Sequence, residues 1–558
     1  MTAAELADLV LSALRAALAS GDLVLSTAGA PLTADEIKVE RPKSREHGDY
    51  ATNVALQLAK ATGRPPREVA RILAENLVRI PGVVAVDVAG PGFLNITLDA
   101  ASRGQVAAVV AAAGRAYGRS DSLAGQRVNL EFISANPTGP LHLGHTRWAA
   151  VGDAMGRVLE AAGAVVAREF YINDRGSQME RFGASLAAAA AGEPIPVDGY
   201  HGEYIADLAA DVVKAHPDLA DLAGQERVTA FMDAGYALQL AEQQRVLDGF
   251  RTHFDVWASE RAMHDSGAVE RGLTVLRGQG HVYEADGAVW LRTTDFGDDK
   301  DRVLVKADGD LTYFASDTAY YLDKRARGFD VCIYLLGADH HGYVNRLRTV
   351  AACAGDDPDY NIQVLIGQLV KILKAGEEVK LSKRAGEIVT LEEFVDEVGV
   401  DAARYTLCRY PVDSPLTLDI AEMTLQKAEN PVFYVQYAHA RISSVLRNAA
   451  ELELVASLDR FNPGLLGHER EGDLLGKIAE FERVVATAAE LREPHRVARY
   501  LEELAGTYHR FYDDCRVLPM GDDQATDLNY ARLVLCSATR QVLANGLGLL
   551  GVSAPERM

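Results

Sequence analysis

The chain has 558 residues, enough for about three or four domains, and 48% of them are hydrophobic, which excludes a disordered composition. The formal net charge is −22, so an RNA partner would need a local basic surface. The five cysteines form no Cys-x-x-Cys pair, which disfavours a zinc ribbon and fits a reducing compartment. Without a signal-peptide pattern or a membrane-length apolar run, the sequence predicts a cytoplasmic protein with no membrane partner.

Residues 1–105 carry the pattern of a compact α+β domain. Apolar residues at helical spacing and short apolar runs predict, in chain order, helices over 1–17, 50–62 and 65–78 and strands over 83–88 and 93–98. An alanine-rich helix and a polar, glycine-containing linker near 118–122 then lead out of this domain.

Residues 122–396 alternate strand and helix patterns, which predicts a parallel sheet with crossover helices. The apolar strand candidates are 127–134, 165–172, 331–337 and 364–370. Between about 180 and 300 the pattern becomes helical and charged, with a strand pair near 281–293, so we expect an insertion there. Ligands of such open sheets bind at the carboxyl ends of the strands.

Residues 397–558 have an almost wholly helical pattern, in which the basic residues are mainly arginines and aromatic residues lie between them. Arginine and aromatic side chains can stack on unpaired RNA bases. An ordinary helical bundle with solvated arginines would show the same pattern, and the residues alone favour the two interpretations equally.

The most informative segment is 129–145, Asn-Leu-Glu-Phe-Ile-Ser-Ala-Asn-Pro-Thr-Gly-Pro-Leu-His-Leu-Gly-His, a strand and a tight turn that open a helix. A helix N-terminus offers unpaired N–H groups to an anion, and Gly144 permits close approach of a nucleotide. His142 and His145 can donate hydrogen bonds to phosphate while largely uncharged. Taken alone, the segment also fits a helix cap with two half-buried histidines.

A second segment, 380–384, reads Lys-Leu-Ser-Lys-Arg. Its lysines can bring positive charge to a pyrophosphate and Ser382 adds a hydroxyl donor, although alone it reads as a solvated basic loop. The two segments in this order predict a site that holds a nucleoside triphosphate from two sides and transfers its adenylyl group. Such a site has to position the reactants and stabilise charge.

These motifs resemble those of class I aminoacyl-tRNA synthetases, and the residues around them resemble arginyl-tRNA synthetases over essentially the whole chain. Four further segments carry the resemblance, at 48–53, 135–140, 401–405 and 430–441. The resemblance implies a multidomain α/β plus all-α fold. It would comprise an N-terminal α+β domain, a Rossmann-like catalytic domain with an insertion, and a C-terminal helical anticodon-binding bundle.

The activity that the resemblance implies is ATP-dependent ligation of L-arginine to tRNA(Arg), with Mg²⁺ accompanying the nucleotide. His142 and His145 would stabilise the phosphoryl transition state, and Lys380 and Lys383 the pyrophosphate. Many arginine enzymes lack an intact second motif and carry a lysine just before the first; this chain has Gly139 there and keeps both lysines. The implied ATP contacts are Pro137, Thr138, Gly139, Leu143, Gly144, Asp339, His340, His341, Leu381, Ser382 and Arg384.

Asp339, His340 and His341 also invite a metal interpretation. No outlying third ligand set accompanies them, so we predict ribose or adenine contact there and no metal site.

An arginine side chain needs carboxylates in a planar arrangement and aromatic walls. By the resemblance, Asp317 and Glu260 face the guanidinium, Tyr313 packs beside it, and Ser134 and Asn136 hold the amino-acid end. Glu131 and Gln178 are predicted to line the same cleft. Without the resemblance, Glu131 and Asp317 would read as surface acids and Tyr313 as a core residue.

The predicted tRNA contacts fall in the two outer domains. The resemblance implies that the N-terminal domain touches the outer corner of tRNA, whereas the alternative is a domain that only buttresses the catalytic sheet. The chain is predicted to act as a monomer that must bind tRNA before activation. The predicted contact residues are Lys43, Arg45, Tyr50 and Asn53 in the N-terminal domain and Tyr434, Tyr437, Arg441, Arg496, Tyr508 and Tyr512 in the bundle.

Two other classes of protein share part of this sequence pattern. A ligase of the same fold that acts on a small amine would lack the anticodon domain, but residues 397–558 supply one. A non-enzymatic tRNA-binding paralogue would have lost histidines or lysines of the motifs, and both motifs are intact.

Overall fold

The computed structural model describes residues 1–25, 32–42, 44–368, 370–374, 376–378 and 390–558. Within these ranges it has an N-terminal α+β part, a central part around a parallel sheet, and a C-terminal helical part. No helix in the described ranges is long and apolar enough to cross a lipid bilayer.

The N-terminal part is an antiparallel sheet of order β1-β2-β4-β3 packed against helices, with an apolar core of its own. Tyr50 pairs with Ile96 across β2 and β4, so the segment expected as a helix from residue 50 begins as a strand. The elements are α1 (Ala3–Ser20), β1 (Val39–Glu40), β2 (Tyr50–Thr52), α2 (Val54–Thr62), α3 (Pro66–Leu77), β3 (Val83–Ala89), β4 (Phe93–Leu98) and α4 (Ala100–Ala113).

The central sheet has strand order β12-β11-β5-β6-β7, and each of these pairings is parallel. Its strands are β5 (Arg127–Glu131), β6 (Val165–Ile172), β7 (Val256–Ser259), β11 (Val331–Gly337) and β12 (Ile362–Gly367). The expected parallel sheet is therefore confirmed.

Three details of this sheet differ from the expected pattern. Strand β12 covers Ile362–Gly367 rather than 364–370, because Val370 begins a strand of a separate sheet. Strand β5 ends at Glu131 rather than at 134, because Ile133 and Ser134 have φ values of 69° and 49° and turn the chain out of the sheet. Strand β7 was not expected, because four residues give too short a pattern to separate from a loop.

Helix α5 (Leu143–Ala161) makes the crossover from β5 to β6 and is buried along most of its length. A Cβ at Gly152 would lie 2.3 Å from the Phe132 ring, so glycine is what lets the helix pack this closely on the chain that leaves β5.

The segment at about 180–300, expected as one insertion, is two excursions separated by β7. The first is helical, with a local core around Phe182, Leu186 and Phe231. Its elements are α6 (Ser177–Ala191), α7 (Glu203–Ala215) and α8 (Gly224–Gly249). The second carries a small antiparallel sheet. Its elements are α9 (Glu260–Asp265), α10 (Ala268–Gly278), β8 (Val282–Ala285), β9 (Ala288–Leu291), β10 (Arg302–Val305) and α11 (Tyr313–Ala326).

After β11 the chain builds a small sheet of order β14-β13-β15 and then the helical part, whose core is continuous with that of the central sheet. These elements are α12 (Tyr343–Cys353), β13 (Val370–Lys374), β14 (Glu377–Glu378), α13 (Leu391–Val398), α14 (Val400–Cys408), β15 (Leu416–Asp419), α15 (Ile420–Met423), α16 (Pro431–Glu451), α17 (Glu469–Ala479), α18 (Phe481–Leu491), α19 (His495–Asp514) and α20 (Asp527–Leu549).

A buried arginine joins the central and helical parts. Arg404 of α14 is fully buried and forms an ion pair with Asp153 of α5. Its guanidinium also donates to the carbonyl oxygens of Leu550, at 3.0 Å, and Phe250, at 2.9 Å. Burial lowers the pKa of Arg404, and the Asp153 carboxylate opposes that shift.

Removing the acid of this pair should destabilise the protein strongly. We expect Asp153→Ala to lower the free energy of unfolding by about 3–5 kcal/mol, because it leaves the buried guanidinium without its counter-ion. Urea denaturation followed by circular dichroism measures the change. Asp527→Ala, which breaks the exposed Arg460–Asp527 pair, is the matched control, with an expected loss below about 1 kcal/mol. Equal effects of the two variants would contradict the structural role of Arg404.

Candidate active site

The carboxyl edge of the central sheet gathers the predicted site residues. Glu131 ends β5, and the next residues turn into α5, whose first motif histidines therefore stand above the sheet. On the neighbouring strands, β6 ends at Ile172 opposite Ser259 of β7. Asp174 fastens these two ends, since its carboxylate accepts from the Ser259 hydroxyl at 2.6 Å and from the Arg261 amide at 2.9 Å.

The two histidines of the first motif form the N-terminal cap of α5. The Gly144 amide donates to Nδ1 of His142 at 3.1 Å, and the His142 amide donates to Nδ1 of His145 at 3.3 Å. The ring centroids lie 3.9 Å apart. With Nδ1 as acceptor in both rings, the proton of each neutral imidazole is on Nε2, the nitrogen that can donate to phosphate. A Cβ at residue 144 would lie 2.8 Å from His142 Cε1, so the cap requires glycine.

The turn before the histidines is braced by the helical excursion. Gln243 of α8 donates to the carbonyl oxygens of Asn136, at 3.2 Å, and Gly139, at 2.8 Å. Tyr204 of α7 donates to the carbonyl oxygen of Thr138 at 3.4 Å. Pro137 and Thr138 are buried here, as is the Leu143 side chain, so Leu143 can meet a nucleotide only through its backbone.

Residues that follow the second motif contact the first motif. Lys380, Leu381, Ser382, Lys383 and Arg384 lie outside the described residues, but Thr390 pairs with His142, and the Leu391 amide donates to the Leu141 carbonyl oxygen at 2.8 Å. The chain thus brings the segment that follows the second motif directly against the first.

Arg147, which sequence reasoning missed, makes a second connection of this kind. Its buried guanidinium donates to the carbonyl oxygens of Gln368 and Ser414, each at 2.9 Å, and of Pro411, at 2.7 Å. Burial lowers the pKa of Arg147 to about 10. The helix that begins with the histidines is therefore tied to the chain both before and after the second motif.

The other nucleotide candidates follow β11, next to β5 in the sheet. His340 and His341 are exposed beyond the end of that strand, and the side chain of Asp339 lies outside the described part. Over the described residues, no group of three His, Cys, Asp or Glu side chains is arranged to hold a metal ion.

Three carboxylates from three elements lie close enough to influence one another electrostatically, and we call this cluster the acidic pocket. Glu131 comes from β5, Glu260 from α9 and Asp317 from α11. Burial raises the pKa of Asp317 to about 7, with the negative charges of Glu131 and Glu260 adding to the shift. Burial also raises the pKa of Glu260, opposed by a hydrogen bond from Tyr171. A concentration of negative charge that is partly removed from water favours a cationic ligand.

The other residues predicted to bind arginine differ in exposure and in their contacts. Tyr313 stands one turn before Asp317 and is 84% exposed, so it is not a core residue, and Glu131, at 6% exposure, is not a surface acid. Ser134 donates to Glu131 at 3.2 Å, Asn136 is exposed, and Gln178 donates to the Asn173 carbonyl oxygen at 3.1 Å.

Sequence reasoning missed two side chains of this pocket, Tyr171 and Lys324. Lys324 is fully buried and forms an ion pair with Glu131. Its spacing from Asp317, seven residues along one helix, is a signal that could have found it, because residues seven apart share a helix face.

The raised pKa of Asp317 predicts that the affinity for arginine depends on pH. Arginine is a cation and favours the ionised carboxylate, so its binding should release a proton when Asp317 is protonated in the empty pocket, below about pH 7. Arginine affinity should accordingly weaken as the pH falls from 8 to 6. Calorimetric titration in buffers of different ionisation enthalpy counts the protons. Equal affinity and no proton release at pH 6 would contradict the assignment.

The aromatic residues predicted to contact tRNA separate into exposed and buried sets. Arg441 of α16 lies 4.0 Å from the Tyr512 ring centroid and 3.3 Å from His509 Nδ1, while Tyr437 is 43% exposed. Tyr434 packs against the same histidine, with ring centroids 5.1 Å apart. These residues form one surface across α16 and α19, which we call the bundle platform.

Other predicted tRNA residues lie elsewhere. Tyr508 is fully buried and Tyr50 is 4% exposed, so neither ring can stack on a base as the protein is folded here; both belong to cores. Arg496 pairs with Glu493 near the start of α19, more than three helical turns from the platform. Asn53 accepts from Gln57 at 3.4 Å, whereas Lys43 and the Arg45 side chain lie outside the described part.

The fold, the first motif and the match to known domain families define a class I aminoacyl-tRNA synthetase. The model for the catalytic domain of class I (R) tRNA synthetases matches residues 105–195 and 238–413. The model for the arginyl-tRNA synthetase N-terminal domain matches residues 4–98, and that for the DALR anticodon-binding domain matches 435–558.

Similarity to whole proteins narrows this class. The chain is 59% identical to an arginine–tRNA ligase of Frankia alni and 57% identical to one of Kineococcus radiotolerans, over 100% of both chains in each case. It shares its fold with an arginyl-tRNA synthetase structure from Thermus thermophilus, with a TM-score of 0.75 at 23% identity over 100% of both chains. The chain belongs to the arginyl-tRNA synthetase family, which confirms the resemblance and the expected fold class.

Proposed function

We propose that the chain joins L-arginine to the 3′ end of tRNA(Arg) in two steps, at the carboxyl edge of the central sheet. The observation that carries this assignment is the pairing of Thr390 and Leu391 with Leu141 and His142. It brings the segment that follows the second motif against the first motif, at the sheet edge where the three carboxylates lie. One end of that site suits a triphosphate and the other suits a cationic side chain.

In the first step the arginine carboxylate attacks the α-phosphate of ATP, forming arginyl-adenylate and releasing pyrophosphate. Asp317 and Glu260 hold the guanidinium, with Tyr313 beside it, while Ser134 and Asn136 hold the amino-acid end. Removing pocket water strengthens these charge-assisted contacts.

The nucleotide end of the site stabilises developing charge. Nε2 of His142 and of His145 donate to the phosphoryl oxygens, and Lys380 and Lys383 neutralise the pyrophosphate. The backbone at 137–139 and 143–144, with Ser382, Arg384 and the residues after β11, positions the nucleotide. ATP would be used together with Mg²⁺, which would supply positive charge to the phosphates, since Mg²⁺ is seldom held by dedicated protein cages.

In the second step the terminal 2′-hydroxyl of tRNA attacks the adenylate carbonyl and AMP leaves. The bundle platform holds the anticodon loop, and the N-terminal domain holds the outer corner of the tRNA, with Lys43, Arg45 and Asn53 as contacts. We further propose that the protein is a monomer and that it is cytoplasmic. The five free, buried cysteines fit the reducing environment of that location.

The platform gives a prediction for tRNA binding. We expect Arg441→Ala to raise the KM for tRNA by about 10-fold and to flatten its salt dependence, because a guanidinium that stacks on a base or pairs with phosphate is lost. The KM for arginine should not change. Aminoacylation kinetics at several salt concentrations provide the measurement.

Arg460 supplies the matched control for that variant. It also lies over a ring, 3.5 Å from the Tyr530 centroid, but away from α16 and α19. Arg460→Ala should leave the KM for tRNA unchanged. A platform variant that behaves like this control would remove the bundle platform from the proposal.

The overall proposal is tested by charging purified tRNA(Arg) with each of the twenty amino acids in the presence of ATP. We expect acid-precipitable radioactivity, that is, labelled aminoacyl-tRNA, with arginine and with no other amino acid. Charging with another amino acid, or none with arginine, would overturn the proposal.

A further inference from the structure

A buried lysine lies under the acidic pocket. The Lys324 side chain has no exposed surface and forms an ion pair with Oε2 of Glu131. Its ammonium lies 4.0 Å from the Tyr334 ring centroid and 4.3 Å from that of Tyr320. Burying an ammonium costs several kcal/mol unless partners offset the loss of hydration, so this position requires the carboxylate and both rings.

The Glu131 carboxylate is held from two sides. Lys324 takes one oxygen, and the Ser134 hydroxyl donates to the other at 3.2 Å. The Ser134 oxygen in turn accepts from the Tyr171 amide at 3.3 Å. Ser134 reaches this position through its left-handed backbone, with φ of 49°. The lysine thus completes a fixed arrangement at the point where β5 leaves the sheet.

We propose that Lys324 is a positioning residue for arginine recognition: it neutralises Glu131 and fixes its carboxylate, so that Asp317 and Glu260 carry the charge that selects a cationic side chain. This inference rests on the proposed function and assigns a role to a residue that does not touch the substrate.

Lys324 is the buried cation that pairs with Glu131, whereas the other nearby cations act on other acids. Glu169, which lies beside Glu131 in the sheet, has its own bidentate pair with Arg327, at 2.7 and 2.9 Å, and accepts from the Tyr320 hydroxyl at 2.6 Å. The Lys324 charge also helps to lower the pKa of Glu169, but its direct ion pair is with Glu131. The remaining cations act on the other two acids. Arg346 of α12 opposes the shift in the pKa of Asp317, and Arg175 opposes that of Glu260.

Without the ammonium, the pocket would hold three carboxylates in a poorly hydrated space with no buried cation among them. Interacting acids of this kind share protons and titrate as a group at higher pH. Each proton taken up removes charge that an arginine side chain would otherwise meet. Lys324 therefore determines the pH below which the pocket loses the negative charge that favours a cationic side chain over a neutral one.

The test compares arginine-dependent charging of tRNA by wild type and by Lys324→Met between pH 6 and 9. We expect kcat/KM for arginine to fall about 10–100-fold at pH 7, mostly through KM, and the acid limb of its pH profile to move to higher pH. Arg325→Met is the matched control, because Arg325 is adjacent on α11 but pairs with Asp356, on the side away from the pocket. The control should keep the acid limb of the wild type.

A double variant, Glu131→Gln with Lys324→Met, separates this role from a purely structural one and serves if the single variant does not fold. Removing both charges should return the acid limb to the wild-type position or below it, even where the melting temperature stays lowered. An unmoved acid limb in Lys324→Met, or an acid limb displaced to higher pH in the double variant, would overturn the inference. Failure of the wild type to charge tRNA with arginine is a separate result, which overturns the proposed function instead.

Discussion

Replacing His145 by alanine should lower kcat by about 10²–10³-fold while leaving the arginine binding constant nearly unchanged. His145 is proposed to donate to the phosphoryl oxygens chiefly when charge develops on them, and interactions made only in the transition state act on kcat. Pre-steady-state formation of arginyl-adenylate, with equilibrium binding of arginine measured separately, gives both quantities.

Two further variants interpret that result. His145, at the N3 position of α5, also accepts the His142 amide at 3.3 Å through Nδ1, so His145→Asn tests whether loss of this capping bond explains the effect. Asparagine can replace that acceptor, since Asn529 at the same position of α20 accepts from the Thr526 amide at 2.8 Å. We expect the asparagine variant to remain impaired. His253→Ala, at an exposed histidine paired with Asp248, controls for a general effect of histidine removal and should behave as wild type. Near-normal activity of His145→Ala would remove this residue from the mechanism.

Replacing Asp317 by asparagine should cost about 3–5 kcal/mol of arginine recognition, because it removes one partner of a desolvated ion pair while keeping its shape. Discrimination between arginine and citrulline is the most direct measurement, since citrulline has a similar shape without the charge. The acid limb near pH 7 should also disappear with the carboxylate that causes it.

Asp323 offers the control on the same helix. It pairs with Arg327 at 3.0 Å and is partly exposed, so Asp323→Asn should leave discrimination intact. If Asp317→Asn still selected arginine over citrulline as well as the wild type does, Asp317 would not face the guanidinium.

Much of the fold could be predicted because its signals are local. The apolar runs of β6 and β11 and the helical spacing of α5 identify those elements from residues close in sequence. The early end of β5 could not be predicted, since Ile133 and Ser134 carry no residue-type signal for a left-handed backbone. Strand β7 exists because β6 pairs with it, which is a tertiary effect.

In the candidate site, too, features formed by residues close in sequence could be predicted, and contacts between distant residues could not. His142, Gly144 and His145 lie within four residues of sequence, and this short pattern predicts the N-terminus of a helix. The pairing of Lys324 with Glu131 joins residues 193 apart, and the pattern of a single chain does not reveal which buried lysine meets which acid. Aromatic content likewise predicted Tyr508 as an RNA contact, although it is a core side chain, because composition does not distinguish the two faces of a helix.

ATP–pyrophosphate exchange, measured for all twenty amino acids with and without tRNA(Arg), tests the central claim most directly. For an arginine–tRNA ligase that activates its amino acid only with tRNA bound, we expect exchange with arginine alone among the amino acids, and only when tRNA is present. Exchange supported by a different amino acid, or no exchange with arginine and tRNA together, would contradict it.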